Sequence, residues 1–121
     1  MKILLIEDEI LIQKSLKKIL ERAGATVSVS SSGKEAILLI NQGSFDRIIC
    51  DIMLQDITGF DVIEESKRKY ETEEIKKIFI LMTAYTSPQV IDAASKYGCK
   101  IVSKPFDDLE KIMNIFMSTN D

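Results

Sequence analysis

RIICDIMLQDITG, residues 47–59, starts as an apolar strand-like run, Arg47–Asp51, and that run stops on a carboxylate. A few residues on, Thr58 and Asp61 stand at the spacing that opens a helix, which carries Val62 and Ile63 and then a solvated charge run, Glu64–Lys69. The same order recurs on either side. KILLI (residues 2–6) runs into Glu7-Asp8, IFILM (78–82) into Thr83, and KIVS (100–103) into Lys104-Pro105. In an open parallel sheet ligands sit just outside the carboxyl ends of the strands, so four strands that end this way converge on one pocket. That pocket would hold carboxylates from Glu7, Asp8 and Asp51, a hydroxyl and an ammonium.

Helical periods fill the gaps between the strands. Ile12, Leu16, Ile19, Leu20 and Ala23 fall at helical spacing after the first strand, and Gly24 suits the left-handed position that ends such a helix. Ala25–Val29 reads as a second short strand. Ser32 and Glu35 form a capping box that opens a helix reaching Gly43. Ile78–Met82 is the fourth strand, followed by a helix that opens at Ser87-Pro88 and closes at Gly98. Lys100–Ser103 is the fifth strand, and Asp107 with Glu110 caps a last helix carrying Leu109, Ile112, Ile115 and Phe116. The alternation predicts an α/β fold, a five-fold strand-helix repeat around one parallel sheet, with residues 1–121 forming a single domain.

Composition agrees. With 121 residues, 45% hydrophobic and 29% charged, the chain has the make-up of an ordinary soluble domain large enough for a real core. Its longest apolar stretches are strand-sized, and Met1-Lys2 leads directly into a strand without a signal-peptide pattern; no membrane association and a cytoplasmic location are therefore expected. A net charge of -3 argues against direct nucleic-acid binding. Cys50 and Cys99 have neither metal-ligand nor CxxC spacing and read as buried reduced thiols. With no histidine, the chain lacks the commonest acid-base group and metal ligand.

Each strand-end residue has two readings. Glu7 and Asp8 are either helix-start acids that complement the macrodipole or, with a third carboxylate across the sheet, ligands for a hard divalent ion such as Mg²⁺. Asp51 is either a loop acid or a nucleophile able to form an acyl phosphate once a metal and an ammonium neutralise the transferred oxygens. Thr83 either satisfies a loop amide or donates to a phosphoryl oxygen. Lys104 is either an exposed lysine or, aimed inward by the turn at Pro105, the cation of the pocket.

Glu7-Asp8 after KILLI, Asp51 in ICDIMLQDITG with Gly59 beyond it, Thr83-Ala84, and Lys104-Pro105-Phe106 together resemble a response-regulator receiver domain, the phospho-acceptor half of two-component signalling. The resemblance covers essentially the whole chain. It implies a doubly wound five-stranded parallel sheet, the (βα)5 flavodoxin-like receiver fold. It also implies that Glu7, Asp8 and Asp51 hold Mg²⁺, with Mn²⁺ as a substitute, and that the backbone carbonyl of Met53 is a further ligand. Asp51 would accept a phosphoryl group from a phosphohistidine on a sensor histidine kinase or phosphotransfer protein. Lys104 would pair with the acyl phosphate, and Thr83 would hydrogen-bond it. The protein would be a switch rather than an enzyme, assisting its own phosphotransfer and dephosphorylation. Its contacts would change through the strand 4, helix 4, strand 5 face, with Thr83, Ala84, Tyr85 and Ile101 as the switch region. The output would be a downstream protein or a missing output domain, the chain being either free-standing or excised from a longer regulator.

Three positions depart from the family pattern. Ile101 stands where the family usually has Tyr or Phe, so an aromatic ring cannot swing inward there. Gln55 replaces a common proline in the loop after the third strand, and Thr58 replaces an acid or asparagine before Gly59. None of these removes a phosphotransfer residue. An aspartate-nucleophile phosphatase of the haloacid dehalogenase type needs a second aspartate where this chain has Met53. A flavodoxin-like nucleotide binder needs a Gly- or hydroxyl-rich loop where this chain has Glu7-Asp8-Glu9. A phosphorylation-independent interaction module gives no reason for the full charged set.

Overall fold

The computed structural model describes residues 1–84 and 86–118, so the expected switch residue Tyr85 lies outside the described residues. Five strands, β1 (Lys2–Ile6), β2 (Thr26–Ser30), β3 (Arg47–Asp51), β4 (Phe79–Thr83) and β5 (Lys100–Ser103), form one sheet in the order β2-β1-β3-β4-β5. Every pairing is parallel. Six helices connect and flank them: α1 (Ile10–Arg22), α2 (Gly33–Gln42), α3 (Gly59–Ser66), α4 (Thr72–Ile78), α5 (Pro88–Tyr97) and α6 (Leu109–Met117).

Successive side chains of a strand point to opposite faces, and β1 divides itself accordingly. Leu4 and Ile6 join a core with Ala36 and Ile40 of α2, Val62 and Ile63 of α3, Ile75 of α4 and Ala94 of α5. Ile3 and Leu5 join a second core with Leu16 and Leu20 of α1 and Ile112 and Phe116 of α6. Helices therefore cover both faces, as expected of a doubly wound sheet. Each of the four β1 side chains is fully buried, which stabilises the fold by about 1.5–3 kcal/mol apiece and fixes the strand whose end carries Glu7 and Asp8.

The five-stranded repeat stands, but among the described residues the single helix expected after β3 is two, which makes six helices in all. The charge run read as the tail of the third helix is broken: α3 stops at Ser66, turns through 67–70, and the chain restarts as α4. The restart has a local cause. Glu71 and Glu74 form a capping box, and Ile75 then goes into the core beside buried Tyr70. The expected helix-4 face is consequently that of α5. Strands 2 and 4 begin one residue later than expected, at Thr26 and Phe79, and the last helix is capped by Asp108, whose side chain accepts from Lys111 N–H, rather than by Asp107. Ser32 caps α2 by accepting from Glu35 N–H, but the return half of a capping box is absent. Gly24 has φ +101° and Gly98 φ +69°, the left-handed conformations that a helix end favours. Cys50 is buried, whereas Cys99 is only partly so; both are free thiols.

Candidate functional site

The strand order reverses between β1 and β3, since β1 leads to β2 on one side and β3 lies on the other. Crevices at such a reversal lie outside the strands' carboxyl ends, and this one receives Glu7, Asp8 and Asp51. One carboxylate oxygen from each of the three lies within 4.8 Å of the others. Glu7 is fully buried, Asp51 nearly so, and Asp8 half-buried.

Lys104 is the cation among them. Its ammonium donates to Glu7 Oε1 at 2.6 Å and to Asp51 Oδ2 at 3.1 Å, and its side chain is only 8% exposed. Register delivers it there: Thr83 pairs with Ser103 across β4 and β5, and Lys104 N–H then donates to the Thr83 carbonyl at 2.8 Å. The Lys104–Pro105 peptide is cis. Burial works against the ammonium, but its hydrogen bond to Glu7 and the charge of Asp51 outweigh it and raise its pKa. Burial dominates at Glu7 and raises its pKa, with Lys104 and the Glu9 N–H pulling the other way.

Glu7 already uses both oxygens, since Oε1 faces Lys104 and Oε2 accepts from Glu9 N–H at 3.1 Å. Its backbone is fixed as well. Gln13 of α1, nearly buried, donates to the Glu7 carbonyl at 2.9 Å and reaches Ser31 Oγ at 3.2 Å. Asp51 Oδ1 accepts from Met53 N–H at 3.2 Å, which turns the chain back over the strand end. Thr83 is fully buried at the end of β4, Ala84 after it is exposed, and both sit on the Lys104 side. Ile101 packs, partly buried, against the core beneath α2–α5, on the edge strand β5, with β4 between it and the strand that carries Asp51. A depression of about 370 Å³ opens over the crevice, bordered by Asp8, Asp51, Met53, Gln55, Ala84 and Lys104.

The donor set suits a small hard cation. Oxygens held at ~2.1 Å by one octahedral ion stand no more than ~4.2 Å apart, so carboxylates already within 4.8 Å need little movement. Asp8 can turn toward such an ion most easily, whereas Glu7 and Asp51 each have both oxygens in hydrogen bonds and would have to share or release one.

Two contributors were not evident in the sequence. Gln13 shares the buried face of α1 with Leu16 and Leu20, and an amide at core spacing was the signal that marks it. Asp56 has no such signal, because its partners are more than twenty residues away. Its carboxylate accepts from Gly33 N–H at 3.0 Å, Lys34 N–H at 2.9 Å and Ser32 Oγ at 3.1 Å, capping α2 from the loop after β3. Burial pushes the Asp56 carboxyl up, but the N–H groups of Lys34 and Gly33 outweigh it and hold it well below the ordinary value of 3.8. A depressed folded-state pKa contributes stability that is present above the unfolded value and lost as pH falls through the folded one. Asp56→Asn should accordingly cost about 1 kcal/mol at neutral pH, and urea titrations should show that difference closing as pH drops below about 4. A difference that persists in acid would mean that the carboxylate charge contributes nothing to the cap.

A family model, the response regulator receiver domain, matches residues 3–116, and the chain belongs to that family. It is 31% identical over 110 residues to the probable transcriptional regulator ycf29 of Pyropia yezoensis and 32% identical over 114 residues to the response regulator SaeR of Staphylococcus aureus. It spans 90% and 93% of itself in these matches but only 49% and 48% of those proteins. Against the aerobic respiration control sensor protein ArcB of Escherichia coli it is 32% identical over 121 residues, 15% of that protein. Among solved structures, the chemotaxis protein CheY4 of Vibrio cholerae superposes with a TM-score of 0.81 at 26% identity, covering 96% of this chain and 98% of that one. The response regulator TrrA of Thermotoga maritima, in complex with Mg²⁺-BeF, gives a TM-score of 0.77 at 27% identity, covering 96% and 98%. The fold is the flavodoxin-like receiver fold, and the chain is a receiver domain of the response regulators of two-component systems. Among the described residues, no helix is long and apolar enough to cross a membrane.

Proposed function

We propose that Asp51 accepts a phosphoryl group from the phosphohistidine of a sensor histidine kinase or phosphotransfer protein, in a Mg²⁺-dependent reaction. The observation that carries this reading is the buried Lys104 ammonium held between Glu7 and Asp51, beside Asp8, at the point where the strand order reverses. In the transfer, an Asp51 carboxylate oxygen bonds to phosphorus as the P–N bond breaks and its electron pair goes to the donor imidazole, which carries a proton on its other nitrogen and so leaves as neutral histidine on the partner. Asp8, Asp51 and the Met53 carbonyl would hold Mg²⁺, with Glu7 as a further ligand on release of one of its bonds; Mn²⁺ would serve as well. Bound there, the metal supplies positive charge against the oxygens of the transferred group. Lys104 then exchanges its bond to Asp51 for one to a phosphoryl oxygen, and the Thr83 hydroxyl donates to another.

Those new bonds bias the β4–α5 connection, Thr83, Ala84 and Tyr85, as charge-driven switches bias a bistable loop. Because Ile101 carries no ring, displacement of that connection and of α5 transmits the state to a downstream protein or output domain. The domain works as a switch that assists its own phosphorylation and dephosphorylation, and we place it in the cytoplasm without direct contact to nucleic acid.

Incubation with a small acyl phosphate tests the assignment. One phosphate should appear by intact mass in MgCl₂, none in excess EDTA, and peptide mapping should put it on Asp51. Labelling on any other residue would overturn the reading.

A further inference from the structure

Between Asp51 and α3 the chain makes a closed strap. Its neck is pinned twice, by Gly59 N–H donating to the Ile52 carbonyl at 2.8 Å and by an antiparallel bridge between Met53 and Thr58. Ile52 N–H is in turn held by the Met82 carbonyl of β4 at 2.9 Å. Gly59 lets the neck close, since a Cβ there would stand 2.9 Å from the Asp51 carbonyl oxygen and 3.0 Å from Ile52 Cα. The tip is held elsewhere. Asp56 bonds to the start of α2 through Ser32, Gly33 and Lys34, while Ile57 and Leu54 close over Gly33 so tightly that a Cβ on Gly33 would meet Ile57 Cγ1 at 2.4 Å.

We propose that Asp56 is a positioning residue of the phosphorylation site, tying the strap to α2 so that the Met53 carbonyl is held over the Asp8–Asp51 crevice. The proposal rests on the metal-site reading above. Mg²⁺ demands nearly ideal octahedral geometry, so a carbonyl that wanders is a poor ligand even when its average position is right. Met53 has one end fixed at the neck and is followed by Leu54 and Gln55 before the next anchor, Asp56. Releasing that anchor frees the tip and lets the neck, held by the Gly59 N–H bond and the Met53–Thr58 bridge, open more often. The bonds that Asp56 makes are charge-assisted and point along the N-terminal end of α2, where negative charge is favoured. They hold the loop in a chain that has Gln55 and no proline between Asp51 and Pro88.

Asp56 does two things, capping α2 and anchoring the strap, and Ser32 separates them. Ser32→Ala removes the Oγ cap on Glu35 N–H together with the Oγ bond to Asp56, but leaves both backbone bonds that anchor Asp56 to α2. The test compares the native chain, Asp56→Ala, Ser32→Ala and Asp8→Ala by calorimetric titration with MgCl₂, and by amide hydrogen exchange without metal. Asp56→Ala should bind Mg²⁺ on the order of tenfold more weakly, with faster exchange at the Met53 and Gly59 amides. Ser32→Ala should lower stability yet keep the native affinity and the native exchange of those amides. Native Mg²⁺ affinity in Asp56→Ala would overturn the proposal, as would equal weakening in Asp56→Ala and Ser32→Ala. Native affinity in Asp8→Ala would instead remove the metal-site reading on which the proposal rests, an outcome visible in a different variant.

Discussion

Asp51→Asn should take up no phosphate from an acyl phosphate in MgCl₂ and should fold at least as stably as the native chain. Asparagine keeps the shape of the side chain and one carbonyl oxygen but cannot carry the acyl phosphate. The charge count explains the stability half. Glu7, Asp51 and Lys104 bring two negative charges and one positive into a nearly dry crevice, with Asp8 at its edge. Neutralising Asp51 leaves the 2.6 Å Glu7–Lys104 pair intact and removes a like-charge neighbour of Glu7. Intact mass and thermal melts read the two halves separately. A phosphorylated variant would show that another residue accepts the group, and a variant that melts well below the native chain would show that Asp51 serves the fold instead.

How much of this was legible beforehand depended on whether the cause was local. Strand ends at Glu7, Asp51, Thr83 and Lys104 could be read because an apolar run that stops on a polar residue is a one-dimensional signal, and parallel topology then brings those ends together. The caps at Thr58, Ser87 and Ser32 were legible for the same reason, each being set within three residues. The split between α3 and α4 was harder. Glu64–Lys69 has the composition of an exposed helical face, and only the burial of Tyr70 and Ile75 shows why the chain turns and restarts. The Asp56 anchor and the Glu7–Lys104 bond span 22 and 97 residues, and no local pattern encodes them. Gln55 stands in the loop after β3 where the family commonly has proline, and the structure supplies a constraint one residue later, at Asp56. Ile101 shows the opposite limit, since its departure from the family pattern was plain and its place against the core follows from β5 being an edge strand with one partly covered face.

Lys104→Met should have the largest effect on stability, in the direction opposite to Asp51→Asn. Methionine fills the space of the lysine stem but leaves the Glu7 and Asp51 carboxylates facing each other without their ammonium. Removing one partner of a buried ion pair costs about 3–5 kcal/mol, because the remaining charge stays desolvated. The low end applies here, as Asp51 retains its bond from Met53 N–H and borders the open depression. Urea unfolding at neutral pH in EDTA should therefore show a loss of about 3 kcal/mol. Adding Glu7→Gln to the same chain should recover most of it, since one carboxylate fewer then lacks a cation. MgCl₂ should also recover more stability in Lys104→Met than in the native chain, because Lys104 no longer competes for Asp51. If Lys104→Met unfolds at the native urea concentration, the buried carboxylates do not depend on the ammonium, and the charge argument for both variants fails together.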